Sequence, residues 1–218
     1  MKKSFSFLFL LIFLSASGRA AVPTPVDLGY DLSYLHVHAL ADAAPLLPPA
    51  LAAKHAFVLD LRYATTDEAS TAALRSALAQ HPADVPLFIL LSPATPANLV
   101  DAVNQAPHAF ITLGLISAKS AARVQVKTDV ESDRRAYDAL ENGTPVETLI
   151  SGKVEKERFD EATLMEEFKN GNPDAEPPAP PDPTDAKPDG ADAKPAPLVD
   201  RVLQRAVHLH RALLALRK

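Results

Sequence analysis

The chain has no cysteine among its 218 residues. That excludes a disulfide staple, a thiolate nucleophile, Cys-ligated zinc and Cys-held iron–sulfur clusters. It also excludes a lipid anchor on a cysteine behind a leader peptide. No Gly-rich phosphate loop, kinase signature or zinc-peptidase motif is present. No apolar run reaches the roughly 20 residues that a membrane-spanning helix needs. The net charge of −5 gives no general reason to expect nucleic acid as a partner.

The chain opens MKKSFSFLFLLIFLSASGRA. Lys2 and Lys3 give a basic start, Phe5 to Leu14 is almost wholly apolar, and Gly18 and Ala20 are small residues before a cut after Ala20. This is the layout of a secretory signal peptide over 1–20, and it predicts export to the periplasm or beyond. Without disulfides an exported chain must hold itself together by its core. With 47% hydrophobic residues it has the material to do so.

Periodicity places the elements. SYLHVHAL (33–40) reads as a strand with Tyr34, His36 and His38 on one face and Leu35 and Val37 on the other. The proline-interrupted APLLPPALAAKH (44–55) is a connection, with room for a short helix after Pro49. AFVLDLRY (56–63) is a second strand whose apolar run suits burial on both faces. Thr66-Asp67-Glu68 supplies a cap and early acid for a helix to about Gln80. PLFILLS (86–92) is the clearest central strand, and Thr95-Pro96 predicts a capped helix over ANLVDAVNQ. AFITLGL (109–115) is a further strand and RVQVKTD (123–129) an edge strand. This order predicts an α/β fold, a mostly parallel sheet with flanking helices.

Beyond Asp129 two helices are expected, SDRRAYDALENG and KERFDEATLMEEFKNG, each closed by Asn-Gly. Residues 171–197 hold nine of the 20 prolines and repeat DAKP, which predicts an extended, disordered linker. The last stretch, 198–218, is an amphipathic helix with Val199, Val202, Ala206, Leu209, Leu213 and Leu216 on one face. That face must dock on its own domain or on another molecule. The expected organisation is a signal peptide (1–20), an α/β domain (21–170), the linker (171–197) and a tethered C-terminal helix (198–218).

In order, these pieces resemble the catalytic domain of the C-terminal processing (tail-specific) serine peptidases, which implies a ClpP/crotonase-like core. Asp60-Leu61-Arg62-Tyr63 matches the strand end that in the family runs into an Asn-x-Gly-Gly oxyanion turn. Here Ala64-Thr65-Thr66-Asp67 follows, without glycine. PLFILLSPATPANLV matches the strand before the family's Thr-x-Ser-x-x-Glu, with Thr95 retained but Ala97 in place of the nucleophile and Val100 in place of the Glu. FITLGLISAKS offers Gly114 and Lys119 for the general-base segment, one residue out of step and with Ala118 where the family has Gly. A Ser–Lys peptidase needs a hydroxyl beside a neutral lysine and amides aimed at the oxyanion. The resemblance therefore implies a frame without its catalytic groups.

Other pairs carry less. His36-x-His38 begins a metal site on one strand face, but no third ligand stands at recognisable spacing. His208 and His210 point in different directions on a helix, with His210 expected to pack. Asp60 and Arg62 end a strand, where open α/β sheets bind ligands; a local role capping the turn beneath Thr65 and Thr66 is the plainer reading. The C-terminal helix carries Arg201, Arg205, Arg211, Arg217 and Lys218 against Asp200, a charge suited to an anionic membrane surface.

No catalytic, cofactor-binding or metal residue is assigned. The expectation is an exported, non-catalytic binding or scaffolding module with a protein or peptide partner, a pairing with an active relative included. Membrane contact by the last helix is a lesser expectation. The rivals are a residual hydrolase using Lys119 with a non-standard hydroxyl and a structural envelope protein.

Overall fold

The computed structural model describes residues 23–108, 110–117, 121–151 and 197–217. The expected signal peptide, the helix over KERFDEATLMEEFKNG, the linker up to residue 196 and Lys119 lie outside the described residues.

Strands β1 (Val26–Asp27), β2 (Leu32–His36), β3 (Ala56–Asp60), β4 (Leu87–Leu91), β5 (Ile111–Leu115) and β6 (Val124–Val126) form one sheet in sequential order. β1 pairs antiparallel with β2, and every other neighbouring pair is parallel. The helices are α1 (Leu40–Ala43), α2 (Leu47–Ala52), α3 (Glu68–Ala79), α4 (Ala97–Asn104), α5 (Val130–Glu141), α6 (Val146–Ile150) and α7 (Arg201–Leu216). The fold is α/β, as the alternating pattern predicts.

Every residue of β3 and β4 is buried, as their unbroken apolar runs require of central strands. Alternation then divides their side chains between two cores. Phe57, Leu59, Ile89 and Leu91 pack with α1 to α4 through Leu40, Leu47, Leu74 and Leu99. Val58, Phe88, Leu90 and Leu113 point the other way.

The sequential strand order explains this division. Successive parallel strands step in one direction across the sheet, so crossovers of one hand all fall on the same face. The opposite face has no crossover helix and must be covered from elsewhere in the chain. The C-terminal segment does this. Val202, Leu203, Ala206 and Val207 of α7 are buried in one cluster with Val58, Phe88, Leu90 and Leu113, and Val146 of α6 joins them. Burying each such Val or Leu contributes about 1.5–3 kcal/mol. The amphipathic helix thus docks on its own domain, leaving Leu216, 84% exposed, beyond the contact. His210 is buried and donates from Nε2 to the Tyr30 carbonyl (2.8 Å), as its expected packing side implies.

Local signals decide the ends. Asp67 caps α3 by accepting from Ser70 N, and the Ser70 side chain returns the bond to Asp67 N. Gly143, with φ +83°, follows the C-cap Asn142 of α5. Three expectations need correction. β2 stops at His36; Ala39 makes only an isolated bridge to Thr65, and Leu40 already begins α1. The 44–55 connection contains α2 from Leu47, with its prolines in the first turn where missing N–H groups cost nothing. Thr95 does not cap α4, whose N-cap is Pro96. Among the described residues no helix is long and apolar enough to cross a membrane.

At Gly114 a Cβ would lie 2.5 Å from the Leu91 carbonyl oxygen of the neighbouring strand. Gly114→Ala should therefore cost about 1–3 kcal/mol through forced backbone movement; an unchanged urea midpoint would contradict the close approach. Truncation after Pro197 should abolish the cooperative thermal transition rather than leave a trimmed folded domain. Circular dichroism melts of the two chains decide this, and a native-like melt of the shorter chain would make α7 dispensable.

Candidate functional site

The carboxyl ends of β2 and β3 converge on Arg62, which is fully buried. Asp60 and Arg62 share the sheet face covered by α7, being two residues apart at a strand end. The guanidinium grips Asp60 with Nε to Oδ1 (3.0 Å) and Nη2 to Oδ2 (2.7 Å). It grips Asp200 with Nη2 to Oδ2 (2.6 Å) and Nη1 to Oδ1 (3.1 Å). Nη1 also donates to Asp133 Oδ1 at 2.7 Å. These bonds use all five N–H donors that a guanidinium has. Asp200 is at the same time the N-cap of α7, its Oδ1 accepting from Leu203 N at 2.9 Å. One carboxylate thus starts the helix and fixes it to the sheet.

Further bonds fill the remaining acceptor sites. Tyr34 Oη donates to Asp60 Oδ2 (2.9 Å), and Tyr63 Oη donates to Asp133 Oδ2 (2.7 Å). The Tyr137 ring lies 5.7 Å from the Arg62 guanidinium carbon. In the turn after β4, Thr95 Oγ1 shares its proton between the carbonyls of Leu61 (3.1 Å) and Arg62 (2.9 Å) and accepts from Ser92 N. Ser92 Oγ also donates to the Arg62 carbonyl. The Thr95 hydroxyl thereby fastens the backbone on which Arg62 stands, a use its place before a helix does not announce.

Burial alone would raise the pKa of Asp60, but the Arg62 charge and the hydrogen bonds from Arg62, with His36 nearby at 3.9 Å, hold it well below the ordinary value. Asp133 moves the opposite way. Its burial raises the pKa, and Arg62 and Tyr63 only partly offset that. Arg62 is more firmly protonated than usual: burial opposes its charge, but Asp200 and Asp60 outweigh the penalty. Tyr34 is pushed up by burial and then by the Asp60 charge, so it stays a phenol donor.

α5 presents Asp133, Tyr137 and Glu141 at steps of four, one face of a helix. Each meets this end of the sheet. Asp133 binds Arg62, Tyr137 Oη donates to the Val37 carbonyl (2.7 Å), and Glu141 Oε1 is hydrogen-bonded to His38 Nδ1. Glu141 Oε1 also lies 3.8 Å from His36 Nε2. The Asp-x₃-Tyr-x₃-Glu stripe was the sequence signal for these partners. As the side chains are arranged, no three His, Asp or Glu residues stand at metal-binding spacing among the described residues.

Asp60 and Arg62 do not cap the turn beneath Thr65 and Thr66, correcting that reading. The turn is held by Thr65 N to the His38 carbonyl and by Thr66 Oγ1 to Thr71 Oγ1, both 2.8 Å. Ala97 opens α4 with its methyl group exposed, and Val100 is half-buried one turn on. Ala64 N, Thr65 N and Asp67 N are bonded within the chain, to Leu61 O, His38 O and Ser70 Oγ. Ser117 is half-buried, and Lys119 lies outside the described residues. His208 is partly buried on the outer side of α7, its pKa lowered by burial and by Arg211 and Arg205.

The hollows described lie elsewhere. One of about 330 Å³ sits at the opposite end of the strands, between Lys54, Pro82, Asp84, Leu213 and Arg217. Another, of about 170 Å³, lies beside Asn104, His108 and Arg123. The sequential parallel strands contain no reversal of order, so the sheet lacks the switch-point crevice of doubly wound folds. Comparison with protein-family models, with curated proteins and with solved structures finds no match.

Asp60 has a folded pKa below its unfolded value of about 3.9. It therefore contributes stability that is in place above that value and is lost as pH falls through the folded pKa. Asp133, with a raised folded pKa, works in the reverse sense. Asp60→Asn should cost about 3–5 kcal/mol at pH 7 and flatten the acid fall in stability. Asp133→Asn should cost less and steepen that fall. Urea titrations at pH 7 and pH 3 check this, and identical pH slopes in the three proteins would refute the assignment. Arg62→Lys should fail almost as badly as Arg62→Met, because an ammonium offers three donors without the planar fork.

Proposed function

We propose that the chain is an exported, non-catalytic binding or scaffolding module on a frame like that of the tail-specific peptidases. The observation that carries this reading is the end of β4. The strand leads into α4 where that family places its nucleophile, and the first helical residue is Ala97. Three further points support it. The hydroxyls nearest that end, on Ser92 and Thr95, donate to backbone carbonyls. The turn amides of Ala64, Thr65 and Asp67 are bonded internally. Arg62 has no donor left for a substrate.

The partner in this reading is a protein or peptide, and the docked α7 narrows where it binds. The apolar face of that helix is taken up by the sheet, so a hook-like C-terminal helix has no support. Nor is there a groove beside PLFILLS among the described residues, because β4 is flanked by β3 and β5 and wholly buried. The outer edge of β6 is the better surface. β6 pairs only with β5 among the described residues. Ile116, just after β5, bonds the Val126 carbonyl through its N–H (3.2 Å) and exposes its side chain at that end of the β5–β6 pair. An extended segment can add to such an edge through main-chain bonds.

Incubation with casein and with a tail peptide should give no turnover. Turnover that disappeared in Lys119→Ala would overturn the non-catalytic reading. A partner cross-linked to the full chain in its native envelope should be lost in Ile116→Asp and kept in Leu216→Asp. Equal loss in both variants would remove the β6 edge from consideration.

A further inference from the structure

We propose that His36, His38 and Glu141 bind a divalent transition-metal ion of the zinc type, at the carboxyl end of β2. The argument begins with the proton inventory around Asp60. Tyr34 Oη has one proton, and it is given to Asp60 Oδ2 at 2.9 Å. At its 3.3 Å contact with His36 Nδ1, the tyrosine oxygen can therefore only accept. His36 therefore donates from Nδ1, and in its neutral form the free lone pair is on Nε2.

That Nε2 is buried and has no hydrogen-bond partner. It faces Glu141 Oε1 across 3.8 Å, too far for a hydrogen bond and a gap that a metal ion can bridge. Two ligand atoms each about 2.0–2.1 Å from a zinc ion stand about 3.4 Å apart at the tetrahedral angle, and further apart at wider angles. The observed gap lies in that range without movement of β2 or α5.

His38 completes the set. Its Nδ1 already touches Glu141 Oε1, and the side chain is 66% exposed. Binding requires a turn of this exposed ring and a shift of its proton to the other nitrogen, so that a lone pair replaces the present bond to Glu141. That rotation separates the present arrangement, in which no three groups stand at metal spacing, from a two-histidine, one-carboxylate site. The groups that orient His36 are already in place. Arg62 holds Asp60, Asp60 holds Tyr34, and Tyr34 orients His36 through Nδ1, the carboxylate-backed arrangement that fixes metal-binding histidines. On the helix side, Tyr137 packs its ring 4.2 Å from that of His36 and anchors α5 one turn before Glu141.

The test uses the full chain and Zn²⁺ alone, followed by isothermal titration calorimetry at pH 7.5. One equivalent should bind, and Glu141→Gln and His38→Ala should each weaken it at least about 10-fold. Tyr34→Phe touches no ligand atom but should weaken binding about 10–100-fold by freeing His36. Co²⁺ alone should give visible absorption bands with the parent chain and none with Glu141→Gln. Melts of the apo variants confirm that they fold. The proposal is overturned if the parent chain binds no Zn²⁺, or if Glu141→Gln and His38→Ala bind it as tightly as the parent. None of these readouts depends on the partner-binding reading.

Discussion

One guanidinium with every donor engaged governs the arrangement of this molecule. Arg62 joins the end of a central strand to the first turn of α5 and to the N-cap of α7. Around it the covering layer is assembled. Asp200 sets the start of α7, and the apolar stripe from Val202 to Val207 then lies over Val58 and Phe88. Asp133 sets the rotation of α5, which in turn brings Tyr137 and Glu141 over the end of β2. Desolvating such a group of charges is expensive, and a well-packed apolar substitute could be as stable. What the cluster supplies is direction. An apolar stripe can slide along an apolar sheet face, but five bonds to three carboxylates have one solution.

The sheet makes this necessary. Its order places the crossover helices α1 to α4 against one face, so the second face must be covered by residues distant in sequence. Hydrophobic burial supplies most of the attraction, and the Arg62 cluster sets its register. The same cluster closes the strand-end region to ligands in need of a cation, and it orders the tyrosine–histidine relay that reaches the surface at His38. Function, on this reading, lies at the rim of the charge network rather than at its centre.

Much of the scaffold was legible in the residues. PLFILLS and the run 56–59 show buried strands because their unbroken apolar stretches have no face suited to water. The Asn142-Gly143 pair marks the end of α5, and the three- and four-residue steps of Val202, Ala206 and Leu209 mark α7. The site was harder to read for a physical reason. The partners of Arg62 lie 71 and 138 residues away, and an aspartate in a first helical turn has a sufficient local explanation in capping and the helix dipole. Glu141 likewise looks like an ordinary surface acid at a helix end. Only the fold reveals that it stands over His36 and His38. Thr95 misled in the opposite direction, because its position before a proline and a helix suits a cap while its hydroxyl serves the preceding strand ends.

The double use of Asp200 has a consequence for the order in which the chain can become itself. Synthesis delivers residues 56–91 early, with the Val58 and Phe88 face bare and Arg62 lacking two of its three carboxylates. The residue that both initiates α7 and fills the guanidinium fork arrives 138 positions after its partner. Closure of so long a loop is slow, and until it occurs the half-covered sheet presents an apolar surface to whatever is nearby. The native state is therefore withheld until Asp200 and α7 are available. A chain of this design stays open on one sheet face until α7 seals it.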